Sequence, residues 1–290
     1  MKRLLLLVSL FALFLPAVAH ADSAPARERG LLITPLRQYL KADAGSSAKS
    51  TFSVANLTDK PLAVSLSVQQ FSVTDYVYNY KFEAPKNDWV HLGMHDLVLQ
   101  PNQTQLVPYS IDVPAKSAPG GHYYTLFASA DLSSQGVKNT IQAADLIYFT
   151  VGGQLTTVSH LQSSSIQWLV FGRTIPFRLN AVDTGNNHVF VYVSGELHGL
   201  FVRLPQTSSA HLLMPGAVRK LEGSIQSPVL PGIYKANYGY KTDAGWIIEE
   251  SRLIVYIPPW FIALLLATLL LLGRYWPRLR KKKVREEASQ

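Results

Sequence analysis

Apolar and polar residues alternate with a period of two along most of this chain. The runs 62–68 and 107–113 each place their larger apolar side chains on one face and smaller or polar side chains on the other. Turn-forming residues separate such runs, as at 56–61 and 99–105. Short alternating runs between turns are typical of antiparallel strands with one solvated face. The pattern therefore predicts β-structure throughout 31–256.

The same order of landmarks occurs twice along the chain. A proline-bearing turn precedes a middle strand at Pro101 and again at Pro215, and a Pro-Gly corner precedes a tyrosine-bearing strand at Pro119 and again at Pro231. A structural corner recurs whenever its domain recurs, whereas a catalytic glycine loop is needed once. We therefore predict an all-β fold of two tandem immunoglobulin-like β-sandwich domains, 31–152 and 153–257, divided at the pair Gly152-Gly153.

The first residues have the anatomy of a secretory signal peptide. Lys2 and Arg3 precede a long apolar run, and Ala19 and Ala21 supply the small residues of a cleavage site. We predict a signal peptide over 1–21, followed by a flexible leader over 22–30.

The other end of the chain indicates a membrane anchor. No charged residue occurs from Leu253 to Gly273, and the sequence then becomes strongly basic. This pattern predicts one C-terminal transmembrane helix over 258–276 and a basic cytoplasmic tail over 277–290. The predicted protein is a single-pass protein of the cell membrane, with both domains extracytoplasmic and the lipid bilayer as a partner.

The formal net charge of +8 is concentrated at the two ends. Between the predicted signal peptide and the basic tail, basic and acidic residues nearly balance, so a nucleic-acid partner is not expected. The chain has no cysteine, and each domain must therefore derive its stability from an ordinary core.

The motifs of catalysis and metal binding are weak in this sequence. No G-x-S-x-G elbow occurs, and His91 and His95 lie in a segment with the features of a turn and a strand, where we expect solvated side chains. Gly120-Gly121 precedes a β-like run and is expected to form a structural corner. We predict a protein that is not an enzyme and that has no cofactor and no metal site.

Aromatic residues alternate from Tyr76 through Tyr78 and Tyr80 to Phe82. In a strand, these four rings would project from one face. The face either closes a sandwich core or, with Trp89, forms a platform on which sugar rings stack. The candidate ligand-binding residues are accordingly Tyr76, Tyr78, Tyr80 and Trp89.

The order of landmarks resembles bacterial cell-surface proteins of the WxL-interacting type, with a peptidoglycan-binding-like first domain, a second immunoglobulin-like domain and a C-terminal anchor. The first domain also resembles the periplasmic pilus chaperones, through an opening strand with a basic residue at 33–37 and an N-x-[ST]-x-x-P turn at 56–61. The first resemblance implies a surface role, and the second implies assembly of exported subunits. The predicted anchor departs from the pilus chaperones, which are soluble.

Two functions follow from these patterns. The first is binding of a cell-wall glycan, or tethering of an exported surface protein, through the two domains. The alternative is a membrane-tethered chaperone or assembly factor that holds subunits of a surface polymer by strand donation. A passive stalk is a further alternative.

Overall fold

The structure, a computed structural model, describes residues 30–134, 137–199, 203–243 and 247–287. The predicted signal peptide over 1–21 lies outside these residues, as does the predicted leader except for Gly30. The predicted β-structure is confirmed, because strands dominate the described residues up to Tyr256.

The first domain is a sandwich of two sheets. Its strands are β1 (Leu31–Thr34), β2 (Arg37–Ala42), β3 (Ser47–Asn56), β4 (Leu62–Val73), β5 (Tyr80–Glu83), β6 (Val90–Leu92), β7 (Asp96–Leu99), β8 (Thr104–Asp112), β9 (Gly120–Ser134) and β10 (Val137–Val151). One sheet has the order β1-β3-β8-β6, and the other has the order β2-β10-β9-β4-β5 with β7 paired to β4. The chain therefore crosses between the sheets after β1.

The second domain is also a sandwich of two sheets. Its strands are β11 (Ser159–Ile166), β12 (Leu169–Val170), β13 (Thr174–Asp183), β14 (Val189–His198), β15 (Arg203–Leu213), β16 (Val218–Gln226), β17 (Gly232–Thr242) and β18 (Ile247–Tyr256). Its sheets have the orders β11-β13-β16 and β12-β18-β17-β14-β15.

The two sandwiches share one strand plan. In each, the opening strand pairs antiparallel with the third, and after a short connection the second strand pairs parallel with the last. The Pro-Gly corners at Pro119 and Pro231 precede β9 and β17, which occupy corresponding places in the two plans. The repetition inferred from the sequence landmarks is therefore present in the topology.

Each domain has its own apolar core, formed by the inward positions of its strands. In β4, Leu62, Val64 and Leu66 are buried while the residues between them are exposed, as the period-two pattern predicts. The first core also includes Phe52, and the equivalent core of the second domain includes Phe177, among other residues. Burial of these faces supplies the main stabilising term of each domain.

The prediction of a transmembrane helix over 258–276 is wrong. The helix α1 runs from Pro259 to Glu287 and continues into the basic segment. Its uncharged part ends before Arg274, so it spans only about 22 Å at ~1.5 Å per residue, against ~30 Å of hydrocarbon. Among the residues described, no helix has the length and apolar character required to cross a bilayer. The single-pass localisation, with a cytoplasmic tail over 277–290, is corrected with it.

Candidate functional site

The strand predicted from Tyr76 to Phe82 is present only from Tyr80 onward. Tyr76 and Tyr78 have positive φ angles of 60° and 61°, a left-handed conformation that interrupts a strand. Thr74 and the residues after it form a turn, closed by the Tyr78 amide donating to the Thr74 carbonyl at 3.1 Å. The four rings therefore do not project from one strand face.

This turn binds the first domain to the second. The Val218 amide donates to Asp75 Oδ1 at 2.8 Å, and the Tyr76 amide donates to the Val218 carbonyl at 2.6 Å. The Tyr78 hydroxyl oxygen accepts a hydrogen bond from the Met214 amide at 2.5 Å. Burial raises the pKa of Tyr78 to about 12, so the hydroxyl stays neutral at physiological pH.

The remaining two candidate residues lie elsewhere on the first domain. The rings of Tyr80 and Phe71 pack edge to face with their centroids 5.5 Å apart. The Tyr80 hydroxyl lies 3.4 Å from that of Tyr148. Trp89 packs against the first core, and its ring centroid lies 4.5 Å from that of His122. Tyr80 and Trp89 thus have separate sets of neighbours, and the ligand-binding role assigned to the four residues stays a prediction.

A second contact between the domains is centred on Asn186. Its carbonyl accepts a hydrogen bond from the Gly121 amide at 2.8 Å, and its Nδ2 donates to the carbonyls of Pro119 and Gln154 at 3.1 and 3.2 Å. Its Oδ1 accepts from the Thr156 amide at 2.9 Å. The side chain of Asn186 thus links the Pro-Gly corner at Pro119 with the segment 154–156, which follows the first domain.

The glycine of this corner is required by the contact. Gly120 has a φ of 148°, and a Cβ atom there would lie 2.7 Å from the Asn186 carbonyl oxygen. Any larger residue would push the second domain away. The corner that the sequence predicts as structural therefore forms part of the contact between the two domains.

An aromatic cluster fills the space between these two contacts. Phe71 and Tyr148 on the outer face of the first domain pack with Leu212 and Met214 of the second. The ring centroid of His188 lies 5.6 Å from that of Tyr148, and burial lowers the pKa of His188 to about 4. Among the described residues, its Nδ1 has no hydrogen-bond partner. The two contacts and this cluster hold the domains in one relative orientation.

The strand β10 has an unpaired edge over 137–145. It pairs with β9 along its full length, whereas β2 covers it only from Leu146 to Val151. The Leu146 amide donates to the Leu36 carbonyl at 3.1 Å, so the amides and carbonyls of even-numbered residues point away from β9. Among the described residues, no strand pairs with this edge at Thr140, Gln142 and Ala144. It presents the groups that an added strand would bind.

Partly buried apolar side chains line the unpaired edge. The side chains of Ile141 and Ala143 point inward and are only partly buried against the first core. Across the sandwich lies β1, which packs against β9 and β10 and contributes the partly buried Leu31. An extended chain at this edge would pair its backbone with β10 and place alternate side chains over Ile141 and Ala143.

The corresponding edge of the second domain is protected by charge. β18 pairs with β12 only at Val255 and Tyr256, which leaves its earlier residues uncovered among the described strands. Because Ile254 is buried in the core, the inward positions before it are Arg252 and Glu250, and both side chains are exposed. Inward-pointing charges oppose edge-to-edge pairing. The β10 edge, with Ile141 and Ala143 at its inward positions, lacks this protection.

A buried carboxylate lies next to the residue at which the pairing of β10 with β2 begins. Asp145 is fully buried, and Gln38 Nε2 donates to its Oδ2 at 2.5 Å. Burial raises the pKa of Asp145 to about 6, and the hydrogen bond from Gln38 opposes this rise. The inward positions along this edge are therefore apolar at Ile141 and Ala143 and acidic at Asp145.

The two histidines four residues apart lie on β6 and in the segment that follows it. His91 lies on β6 with its Nε2 3.4 Å from Asp112 Oδ2, and the His95 carbonyl accepts a hydrogen bond from the Leu66 amide. In the part of the chain that the structure describes, no three His, Cys, Asp or Glu side chains are grouped to hold a metal ion.

Sequence reasoning missed the β10 edge. The residues of β10 do not by themselves reveal that part of its edge is uncovered. The covered part is decided by the length of β2 and by the point at which the chain crosses to the other sheet after β1. One signal was present in the comparison of the two repeats. Ile141 and Ala143 are uncharged, whereas the inward positions of β18 carry Glu250 and Arg252.

Comparisons with known proteins return fimbrial chaperones of solved structure. The class 5 fimbriae chaperone CfaA matches with a TM-score of 0.40 at 12% identity, over 79% of this chain and 100% of that one. The CupB2 chaperone of Pseudomonas aeruginosa matches with a TM-score of 0.38 at 11% identity, over 77% of this chain and 100% of that one. The E. coli chaperone DraB matches with a TM-score of 0.36 at 13% identity, over 78% and 96%.

No protein-family model and no curated protein match this chain. The solved structures belong to the class that the first domain resembles in sequence, and the resemblance to WxL-interacting proteins gains no support from them. At these identities and TM-scores, the likenesses carry no inference about this chain. Its function is therefore inferred from its own geometry.

Proposed function

We propose that this chain is an assembly factor, not an enzyme, that holds an exported protein by lending the edge of β10 to it as an extra strand. The observation that carries the proposal is the edge over 137–145, which no described strand covers and along which partly buried apolar side chains lie. An exported partner is proposed because the first residues have the pattern of a signal peptide.

The backbone of β10 supplies the binding energy in this proposal. Thr140, Gln142 and Ala144 present amides and carbonyls to the open side. A strand laid along them forms a ladder of hydrogen bonds, each contributing about 0.5–1.5 kcal/mol. The partner suited to such an edge is a β-sandwich protein that lacks one of its own strands, since its exposed core would be covered by β10.

The second domain positions this edge in the proposed function. Its hydrogen bonds with Asp75 and Tyr78, and the hydrogen bond of Asn186 to the Pro119 carbonyl, hold the angle between the sandwiches. Its own β18 edge carries Glu250 and Arg252 and is not expected to bind a strand. The partner therefore binds at one edge, and the second domain limits the directions from which it approaches.

The test removes one outward amide from β10. Proline at Gln142 eliminates an N–H that points away from β9, so the β9 ladder stays intact. The matched control is Gln142→Ala, which loses the side-chain hydrogen bond to Ser129 but keeps the amide. The full chain, Gln142→Pro and Gln142→Ala are immobilised in turn and exposed to an envelope extract of the organism that encodes them.

We expect the full chain and Gln142→Ala to retain the same exported protein, and Gln142→Pro to retain at least about tenfold less of it. Hydrogen exchange at 137–145 should slow when the retained protein is bound. Equal retention by all three proteins, with unchanged exchange at these amides, would overturn the proposal.

A further inference from the structure

One carboxylate oxygen of Asp145 has no hydrogen-bond partner among the described residues, and Asp145 lies where the pairing of β10 with β2 begins. The residue is 0% exposed, and Gln38 donates to Oδ2, whereas Oδ1 has no hydrogen-bond partner among the described residues. A buried polar atom left unpaired costs about 1–3 kcal/mol, and more when it is charged. The feature therefore requires an explanation beyond ordinary packing.

The groups around Asp145 do not neutralise it. Gln38 is held in turn by Ser50, whose Oγ donates to Gln38 Oε1 at 2.7 Å. The buried hydroxyl of Tyr109 is close enough for the charge of Asp145 to raise its pKa further. The basic residue next to Gln38, Arg37, occupies the opposite face of β2 by strand alternation. Gln38, Ser50 and Tyr109 are uncharged, so none of these neighbours supplies a cation to Asp145.

The position of Asp145 on β10 connects it to the unpaired edge. Leu146 pairs with Arg37, the first residue of β2, and Asp145 is the residue of β10 just before it, which β2 does not cover. Ile141 and Ala143 occupy the two inward positions that precede Asp145 on β10. A long side chain from a strand bound at this edge, directed inward near Ala143, would extend toward the free oxygen.

We propose that Asp145 binds a lysine or arginine side chain of the strand that pairs with β10, an inference that rests on the proposed function. The cation supplies the hydrogen bond that Oδ1 lacks, and its methylene groups cover Ile141 and Ala143. A partner strand is then apolar at its other inward positions and basic at the one that reaches Asp145. An acidic residue at that position is excluded by repulsion in a poorly solvated site.

The probes are synthetic nine-residue peptides of alternating valine and threonine. In successive peptides one valine is replaced by lysine, by methionine of similar length, or by glutamate, so that every position and either strand direction is sampled. Their affinities for the full chain, for Asp145→Asn and for Asp112→Asn are measured by fluorescence anisotropy. Asp112 is an exposed carboxylate on β8 and serves as the matched charge control.

We expect one position at which lysine binds the full chain at least tenfold more tightly than methionine, with glutamate weakest. Asp145→Asn should reduce this preference to less than threefold, and Asp112→Asn should leave it unchanged. A second measurement does not depend on a variant: the lysine preference of the full chain should diminish as Asp145 becomes protonated below pH 6.

The failures are distinguishable. Binding of the peptides without preference for lysine at any position would overturn the role of Asp145 and leave the proposed function standing. If Asp112→Asn also loses the lysine preference, that preference arises from the overall negative charge of the protein. The proposed role of Asp145 would then be overturned as well. If no peptide binds the full chain, the edge is not a strand-binding site, and both proposals fall.

Discussion

The guanidinium carbon of Arg219 in the second domain lies 4.3 Å from the centre of the Tyr78 ring in the first. Arg219 also donates to the Leu212 carbonyl, which fixes its position over the ring. A cation held over an aromatic face contributes about 0.5–2 kcal/mol, depending on how far the pair is desolvated. The residue that the sequence offered as a sugar-binding ring is thus part of the contact that orients the two domains.

Removal of the Tyr78 hydroxyl should weaken this contact. Tyr78→Phe leaves the Met214 amide without its acceptor, and we expect the free energy of unfolding to fall by about 1–3 kcal/mol. Small-angle scattering should show a wider distribution of interdomain distances. Tyr192→Phe, at an exposed position on β14, is the control and should change neither quantity. An unchanged stability in Tyr78→Phe would show that the hydrogen bond contributes nothing.

The turn at 56–61 should depend on the buried side chain of Asn56. Its Nδ2 donates to the carbonyls of Lys60 and Leu99 at 2.8 and 3.0 Å, and its Oδ1 accepts from the Thr58 amide at 2.9 Å. We expect Asn56→Ala to lower the free energy of unfolding by about 3 kcal/mol, measured by urea denaturation. Thr58→Val removes only the hydroxyl and should cost about 1 kcal/mol. Equal costs would contradict the central role of Asn56.

The second core should not tolerate a methyl group at Gly223. A Cβ atom there would overlap the ring of Phe177. We expect Gly223→Ala to destabilise the protein by about 1–3 kcal/mol through overpacking. The cost should shrink in a Phe177→Leu background, because the smaller side chain leaves room. Gly172→Ala, whose Cβ would have no neighbour within 3.5 Å, should be nearly neutral. Thermal denaturation of Gly223→Ala, Phe177→Leu, their double variant and Gly172→Ala measures these costs relative to the natural protein.

Acid should weaken the interface through His188. Its pKa is lowered by burial to about 4 from the usual 6.5, so the folded protein binds fewer protons than the unfolded chain between these values. The stability due to neutral His188 is present above pH 6.5 and is lost as the pH falls toward 4, by at most about 3 kcal/mol.

The contribution of His188 is isolated by comparison with His188→Gln. Asp145 and Asp183 have pKa values raised by burial to about 6, and they change stability in the opposite sense over part of the same range. Both the natural protein and His188→Gln contain Asp145 and Asp183. The contributions of these two residues therefore cancel in the difference between the two free energies of unfolding. We expect the advantage of the natural protein to decrease from pH 7 to pH 4. A constant difference would show that the burial of His188 does not shift its titration.

The individual strands follow from short-range alternation in the sequence. The pattern at 62–68 predicts the buried and exposed faces of β4, because a residue's face in a strand is fixed by its parity. The turn residues at Asn56 and the corners at Pro119 and Pro231 mark strand boundaries because their backbone chemistry is local. Repetition of these landmarks was enough to predict two copies of one sandwich plan.

The candidate site was decided by contacts between distant residues. Whether Gln142 has a strand beside it depends on where β2 begins to pair with β10, and the pairing of Arg37 with Leu146 joins residues that are far apart in sequence. Tyr76 and Tyr78 left the predicted strand because the second domain binds the turn that contains them. The sequence by itself determined which residues face inward along each strand. Only the tertiary structure decided which strand edge is left uncovered, because coverage depends on the position of another strand.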